Sequence, residues 1–421
     1  MTSSTLKLLI VCSLIVCSLA IATLDDIDRS DIPQIIESRG FICESHYIVT
    51  SDGYILGNYR IVNPLASKHF KEPLKPVIIQ SGFLGSATDF IINAPTGQIN
   101  EQILANYTDL DSVDFESEGQ NLGFILANLG YDVWLTNPRG NYYSTNHTTL
   151  DPKEDGKQFW SFSLDEMALI DLPAMIDYVL NNTGQSSLAY IGYSRGSAIM
   201  FALLSEKPEY SDKISPFIAM APPVFLNNEK SYYRALASSK FILNFIRDHP
   251  GSCFGRAITD IAGICNNFLI KPLCHQLEMS LLSIDRETSN ATRINIYLSH
   301  LPAGAPCWDL IYFSQRITQE NFTHIDLGPD FNMKRYGSKT PPMYNLRNIV
   351  NQDIYILHST GDKRASPVDV QKLVDELEVF PADRITIEDE KFSHLDFFLD
   401  KNVAQRVNKP IAKILDRYRS T

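Results

Sequence analysis

The chain has 421 residues, 44% hydrophobic and 20% charged, with a formal net charge of −12. That length suits one large α/β domain carrying a substantial insertion, and the composition is ordinary for a globular protein. The acidic balance excludes nucleic acid as a partner and offers anionic lipid no polybasic patch, while neutral lipid surfaces stay open because binding there depends on apolar area.

The N-terminus supplies the only long apolar run. Lys7 precedes residues 8–22 (LLIVCSLIVCSLAIA), which end on Ala20-Ile21-Ala22. A basic residue, about fifteen apolar residues and a small-residue end read as a signal peptide over 1–22; a signal anchor is the alternative. A transmembrane helix needs about twenty apolar residues, and no later segment is long enough, so no transmembrane span is expected. Removing 1–22 takes Lys7 with it and leaves a charge of −13. It also removes Cys12 and Cys17, leaving Cys43, Cys253, Cys265, Cys274 and Cys307. That number is odd, so one thiol at least is free or pairs outside the chain. No C-x-x-C pair exists and no His joins these cysteines at zinc spacing, so no metal and no cofactor are expected. Sequons at Asn106, Asn146, Asn181, Asn290 and Asn321 fit glycosylation in the secretory pathway.

Past the signal, residues 45–61 alternate β-formers around Asp52-Gly53 and predict an antiparallel hairpin. Residues 76–80 form a short apolar strand that runs into a loop at Ser81-Gly82. Residues 97–119 are acidic and turn-rich and read as a solvated loop. A helix is expected over 121–129, a strand over 131–135, a helix over 163–181, a strand over 187–192, a helix over 197–205 and a strand over 216–221. Strands alternating with helices imply right-handed crossovers and a mainly parallel sheet. From 225 to about 342 the apolar spacing favours helices instead, with 241–246 and 277–284 as examples. The strand pattern resumes at 353–358. The expected organisation is therefore a signal peptide (1–22), a first part of an α/β core (23–222), a mostly helical cap or lid insertion (223–342) and a second part of the core (343–421).

Gly192-Tyr193-Ser194-Arg195-Gly196 fits G-x-S-x-G. An apolar strand enters it and an amphipathic helix leaves it, the strand–turn–helix of a nucleophile elbow. A Ser hydroxyl is a weak nucleophile without a base, and the base needs an orienting acid. In this fold the order is Ser, acid, His. Asp362 follows the strand that ends at Ser359, where an orienting acid belongs; Asp353 lies at the wrong end of that strand and Asp369 within the next helix. His394 is then forced, as the only histidine C-terminal to Asp362. Backbone amides of Arg195 and Phe83 are the expected oxyanion donors. Arg195 also brings a cationic side chain to the elbow. Either it lowers the pKa of His394 as a like charge does, or it points into solvent.

Further segments carry a resemblance: residues 50–56, 130–135, 139–141, 159–167 (FWSFSLDEM), 171–174, 297–300, 302–304 and 394–397. In that order the chain resembles the acid lipase family. The resemblance implies an α/β-hydrolase fold, a mainly parallel sheet flanked by helices with an inserted mostly helical cap or lid domain. It implies serine-dependent hydrolysis of neutral lipid esters, triacylglycerols or sterol esters, at a lipid–water interface, in an extracellular or lysosomal setting. It also implies a Cys265–Cys274 disulfide. Three departures stand out: Ser81-Gly82-Phe83 where the family has His-Gly-Leu, Tyr193 and Arg195 where it has His and Gln, and a longer acidic insertion. A carboxylesterase or amide hydrolase of smaller lipids shares the catalytic features. A catalytically silent lipid-binding protein is the remaining reading, and an intact set of Ser194, Asp362 and His394 argues against it.

Overall fold

In the computed structural model the described residues are 27–230, 234, 239–253 and 287–419. The signal peptide, the helix expected over 277–284, and Cys265 with Cys274 lie outside them.

The hairpin comes first. Strands β1 (Ile42–Val49) and β2 (Tyr54–Val62) pair antiparallel around a turn in which Gly53 has φ 95°, a conformation open to glycine at little cost. Strands β3 (Pro76–Gln80), β4 (Asp132–Thr136), β5 (Leu188–Tyr193), β6 (Ile214–Met220), β7 (Ile354–Ser359) and β8 (Asp383–Ile387) follow. They lie in the order β1-β2-β4-β3-β5-β6-β7-β8, and a two-residue strand, Asn146–His147, adds to β2. From β4 to β8 every neighbouring pair is parallel, and β1 and β2 form the antiparallel edge. Helices cover both faces of a parallel sheet, so its central strands are buried all along rather than alternating. Each residue of β3, β4 and β5 is buried accordingly.

The helices α1 (Leu122–Asn128), α2 (Leu172–Thr183) and α3 (Arg195–Glu206) fall where the apolar spacing put them. Helical turns precede α2 from Leu164 onward. Ser163 and Glu166 form a reciprocal capping box at Leu164–Glu166, and a π-helical turn at Met167–Asp171 joins that start to α2.

One expectation is corrected. The acidic stretch 97–119 is not merely a solvated loop: it holds short helices at Glu101–Ala105 and Phe115–Glu118 and buries Ile103, Leu104, Leu110, Val113 and Phe115. Its carboxylates face outward between those apolar anchors, and Lys409 and Lys413 reach Asp111 at 3.3 and 3.1 Å.

Between β6 and β7 the regular elements among the described residues are mainly helices: α4 (Lys240–Asp248), α5 (Ile294–His300), α6 (Trp308–Thr318) and α7 (Pro329–Tyr336). A small ribbon pairs Ser252–Cys253 with Ala305–Pro306, beside a Cys253–Cys307 disulfide that spans 54 residues. Cys43, on β1, is a free thiol. No helix among the described residues is long and apolar enough to cross a membrane.

Candidate active site

The C-terminal ends of β3, β5, β7 and β8 open on one edge of the sheet, where ligands bind in open α/β folds. Ser194 sits there, between β5 and α3, at φ 51° and ψ −118°. Such a conformation in a non-glycine residue costs about 1–3 kcal/mol and marks functional strain. Its neighbours are glycines for a spatial reason. A Cβ at Gly192 would lie 2.7 Å from the Ser197 nitrogen, and one at Gly196 would lie 2.6 Å from the Gln80 carbonyl oxygen. The turn closes only when both are absent.

The loop after β8 brings His394 over this turn. Its Nε2 is 2.8 Å from Ser194 Oγ and its Nδ1 is 2.7 Å from Asp362 Oδ2. Asp362 lies just past β7, and its Oδ1 accepts the amides of Arg364 and Ala365 at 2.8 and 3.1 Å, which fixes the carboxylate's orientation. All three side chains are buried. The structure thus brings together Ser194, Asp362 and His394 from three separate strand ends.

In sequence Tyr193 is only a departure from the family pattern. Its hydroxyl donates to the His394 carbonyl at 2.8 Å, and its ring centroid lies 5.4 Å from the imidazole. It therefore braces the histidine loop from beneath. The loop after β3 abuts the serine: a Cβ at Gly82 would lie 3.0 Å from Ser194 Cβ. The amides of Phe83 and Arg195 donate to no group among the described residues. Arg195 also opens α3, whose N-terminal dipole favours negative charge. Behind the same loop, burial pushes the Asp89 carboxyl up to about 8, and its Oδ2 occupies the space a Cβ at Gly85 would need.

The side chain of Arg195 does not point into solvent. Its Nη1 donates to Asp309 Oδ2 of α6 at 2.6 Å, with both side chains buried. The partner comes from 114 positions away, so no local signal pointed to it.

A cavity of about 110 Å³ opens on Ser194 and His394. Its walls are mainly apolar, with Phe83 and Leu84 from the β3 loop, Leu226 and Leu301, and Phe313 and Ile317 of α6, and Glu229 and Arg364 also line it.

The segments behind the family resemblance hold the scaffold. Arg139 bridges Asp52 (2.6 Å) and Asp171 (2.6 Å). Asp165 of the FWSFSLDEM segment accepts Tyr344 Oη at 2.7 Å, Tyr336 Oη at 3.0 Å and the Ile325 amide at 3.2 Å. Of the five sequon asparagines, Asn106, Asn146, Asn181 and Asn321 are exposed. Asn290 is half-buried and donates its side-chain amide to the Asn93 carbonyl at 3.1 Å.

A family model described as alpha/beta hydrolase fold matches residues 75–401, and one described as a partial alpha/beta-hydrolase lipase region matches residues 32–94. Lipase member K of Homo sapiens is 32% identical over 394 residues, covering 92% of this chain and 91% of the relative. Gastric triacylglycerol lipase of Bos taurus is 31% identical over 389 residues, covering 91% of each. Lysosomal acid lipase/cholesteryl ester hydrolase of Macaca fascicularis is 30% identical over 396 residues, covering 92% of this chain and 91% of the relative.

Proposed function

This chain belongs to the acid lipase family of α/β-hydrolases, and from that membership we propose that it hydrolyses neutral lipid esters, triacylglycerols or sterol esters, through an acyl-enzyme on Ser194. The observation that carries this reading is the strained Ser194, hydrogen-bonded to His394 at 2.8 Å on the wall of an apolar cavity.

His394 takes the hydroxyl proton as Ser194 attacks the acyl carbonyl, and it returns that proton to the departing alcohol. Asp362 holds the ring so that Nε2 faces the serine, and it stabilises the imidazolium as it forms. The Phe83 and Arg195 amides receive the oxyanion, whose charge they meet without reorganisation. Water then repeats the sequence on the acyl-enzyme. The insertion is read as a cap, a reading supported by α6 at the cavity wall, and the enzyme meets its substrate at a lipid–water interface. The N-terminal apolar run and four exposed sequons support passage through the secretory pathway to an extracellular or lysosomal destination.

A fluorophosphonate probe tests the chemistry. It should label the unaltered chain once per molecule and leave Ser194→Ala unlabelled. On a panel of ester substrates Ser194→Ala should lose at least about 10⁴-fold in kcat, since triad members act as a unit. Retention of most esterase activity by Ser194→Ala would remove the assignment. Rates that favour dissolved short esters over emulsified long-chain ones would shift the substrate class to small esters.

A further inference from the structure

The residue after the nucleophile is tied to the inserted segment. Arg195 is the first residue of α3, and Asp309 is the second residue of α6. Their one hydrogen bond, Nη1 to Oδ2, is 2.6 Å long, and the side chains are 1% and 0% exposed. Arg195 Nε and Nη2 and Asp309 Oδ1 have no hydrogen-bond partner among the described residues. The contact is therefore a single directional bond, not a bidentate clamp.

Helix α6 carries two stripes. Leu310, Phe313, Ser314 and Ile317 line the cavity, at the i, i+3, i+4, i+7 spacing of one helix face. Asp309 and Tyr312, three apart, are fully buried and do not line it. Apolar contacts are non-directional, so they resist a small slide or rotation of α6 only weakly. A short charge-assisted hydrogen bond is directional and does resist it.

Buried ion pairs contribute little net stability, because desolvation offsets the attraction; fixing register is a better-attested use. Here burial pushes the Asp309 carboxyl up to about 6 even with Arg195 beside it, so the pair is held at a cost in desolvation.

We propose that Arg195 and Asp309 are a positioning pair that sets the register of α6 over Ser194, and so governs selectivity for acyl-chain length. The inference rests on the hydrolase reading above. Ester cleavage needs the Arg195 amide, which belongs to the main chain; the guanidinium serves the wall of the acyl cavity.

The test compares the full chain with Arg195→Gln, Asp309→Asn and the double variant. The measured quantity is kcat/KM on p-nitrophenyl decanoate divided by kcat/KM on p-nitrophenyl acetate. Active sites are counted by fluorophosphonate. Each single variant strands a buried charge and should lower the ratio about tenfold, mostly through KM on the long ester, a coupling ordinary for contacting residues. The double variant places two amides where the ions were. One neutral hydrogen bond then replaces the charged one, and the ratio should recover to within about threefold of the unaltered chain.

A double variant that loses the product of the two single losses overturns the proposal, as does a parallel fall on both esters. If one single variant does not accumulate as folded protein, the other single variant and the double variant decide: a ratio about tenfold lower in the single and restored in the double supports the pair, and an unchanged ratio in the single or an about tenfold lower one in the double overturns it. Absence of labelling in the unaltered chain would remove the hydrolase reading itself. Normal labelling with an unchanged ratio in all three variants would remove only the pair.

Discussion

Strand β3 buries all five of its residues between β4 and β5, whereas α4 of the inserted segment leaves Phe241 82% and Phe245 59% exposed. The contrast extends to what fastens each region. The sheet is a continuous apolar body, with side chains such as Ile78, Val133 and Ile191 fully buried. The inserted segment also packs apolar side chains, but its attachments to the sheet domain include short polar links at named atoms. Arg195 meets Asp309; Asp165 meets His324 and Tyr336; Asp28 meets Arg293 at 2.6 Å, and the Asp28 carbonyl lies 2.6 Å from His300 Nε2. Apolar burial scales with area and tolerates small shifts. Polar links fix a position and respond to charge. Ser194 sits on the first kind of structure, and the α6 part of the cavity wall is held by the second.

The largest effect should come from the sheet. Ile78→Ala removes three carbons from a fully buried site in β3, which costs about 4 kcal/mol through lost transfer energy and the cavity left behind. Urea unfolding followed by far-UV circular dichroism and by tryptophan fluorescence should shift in both signals together. Separate midpoints would show that the inserted segment and the sheet do not unfold as one unit.

Within the insertion, the Cys253–Cys307 bond closes a 54-residue separation. Replacing both cysteines by serine should cost about 3 kcal/mol through the freed denatured chain. The comparison predicts that this loss is felt most near the bond. Hydrogen exchange should quicken more at residues 305–318, which open locally, than in β3 to β5, which exchange only through global unfolding, and uniform acceleration across both regions would erase the distinction.

These two regions also differ in how far the sequence discloses them. Strands β3, β5 and β6 are short apolar runs bounded by turn residues, because a strand covered on both faces has no polar side to show. Ser194, Asp362 and His394, which the structure brings together, are equally legible, since each follows a strand end in a fixed chain order. Asp309 was not: its bond to Arg195 crosses 114 positions and obeys no local period. Asp165 lay inside a recognised segment, yet its partners His324, Tyr336 and Tyr344 are about 160 to 180 positions away. The acidic stretch 97–119 reads as a loop because its six carboxylates and its turn residues interrupt the five apolar residues that anchor it. Local pattern reveals burial against a regular element; it does not reveal directional pairing between distant ones.

The smallest predicted effect is the most specific to the polar attachment. His324 lies between two carboxylates of the sheet domain, with Nδ1 3.4 Å from Asp165 Oδ2 and Nε2 3.5 Å from Glu206 Oε1. Its ring stacks on Tyr344 at 4.0 Å, Tyr336 packs at its edge, and Arg335 reaches both Asp165 and Glu166. Burial lowers the His324 pKa, but the bond and charge of Asp165, with Glu206 behind them, outweigh burial and leave it above the ordinary histidine value. Burial likewise raises Asp165, and His324 with Arg335 more than offsets that, bringing it down to about 2. The signs then fix a window. A histidine raised on folding contributes stability that is fully present below its unfolded value of about 6.5 and lost as pH climbs through the folded one. A carboxylate lowered on folding contributes stability present above about 3.9 and lost as pH falls towards the folded value. The link is therefore strongest between about pH 4 and 6.5 and weakens towards pH 8. His324→Gln keeps a polar side chain but no titratable charge, and should cost about 1 kcal/mol at pH 5 and little at pH 8. Hydrogen exchange at residues 323–344, corrected for the intrinsic rate at each pH, should show the unaltered chain opening more readily at pH 8 than at pH 5, with His324→Gln alike at both. An identical pH dependence in the two proteins would mean that His324 does not hold the inserted segment through its charge.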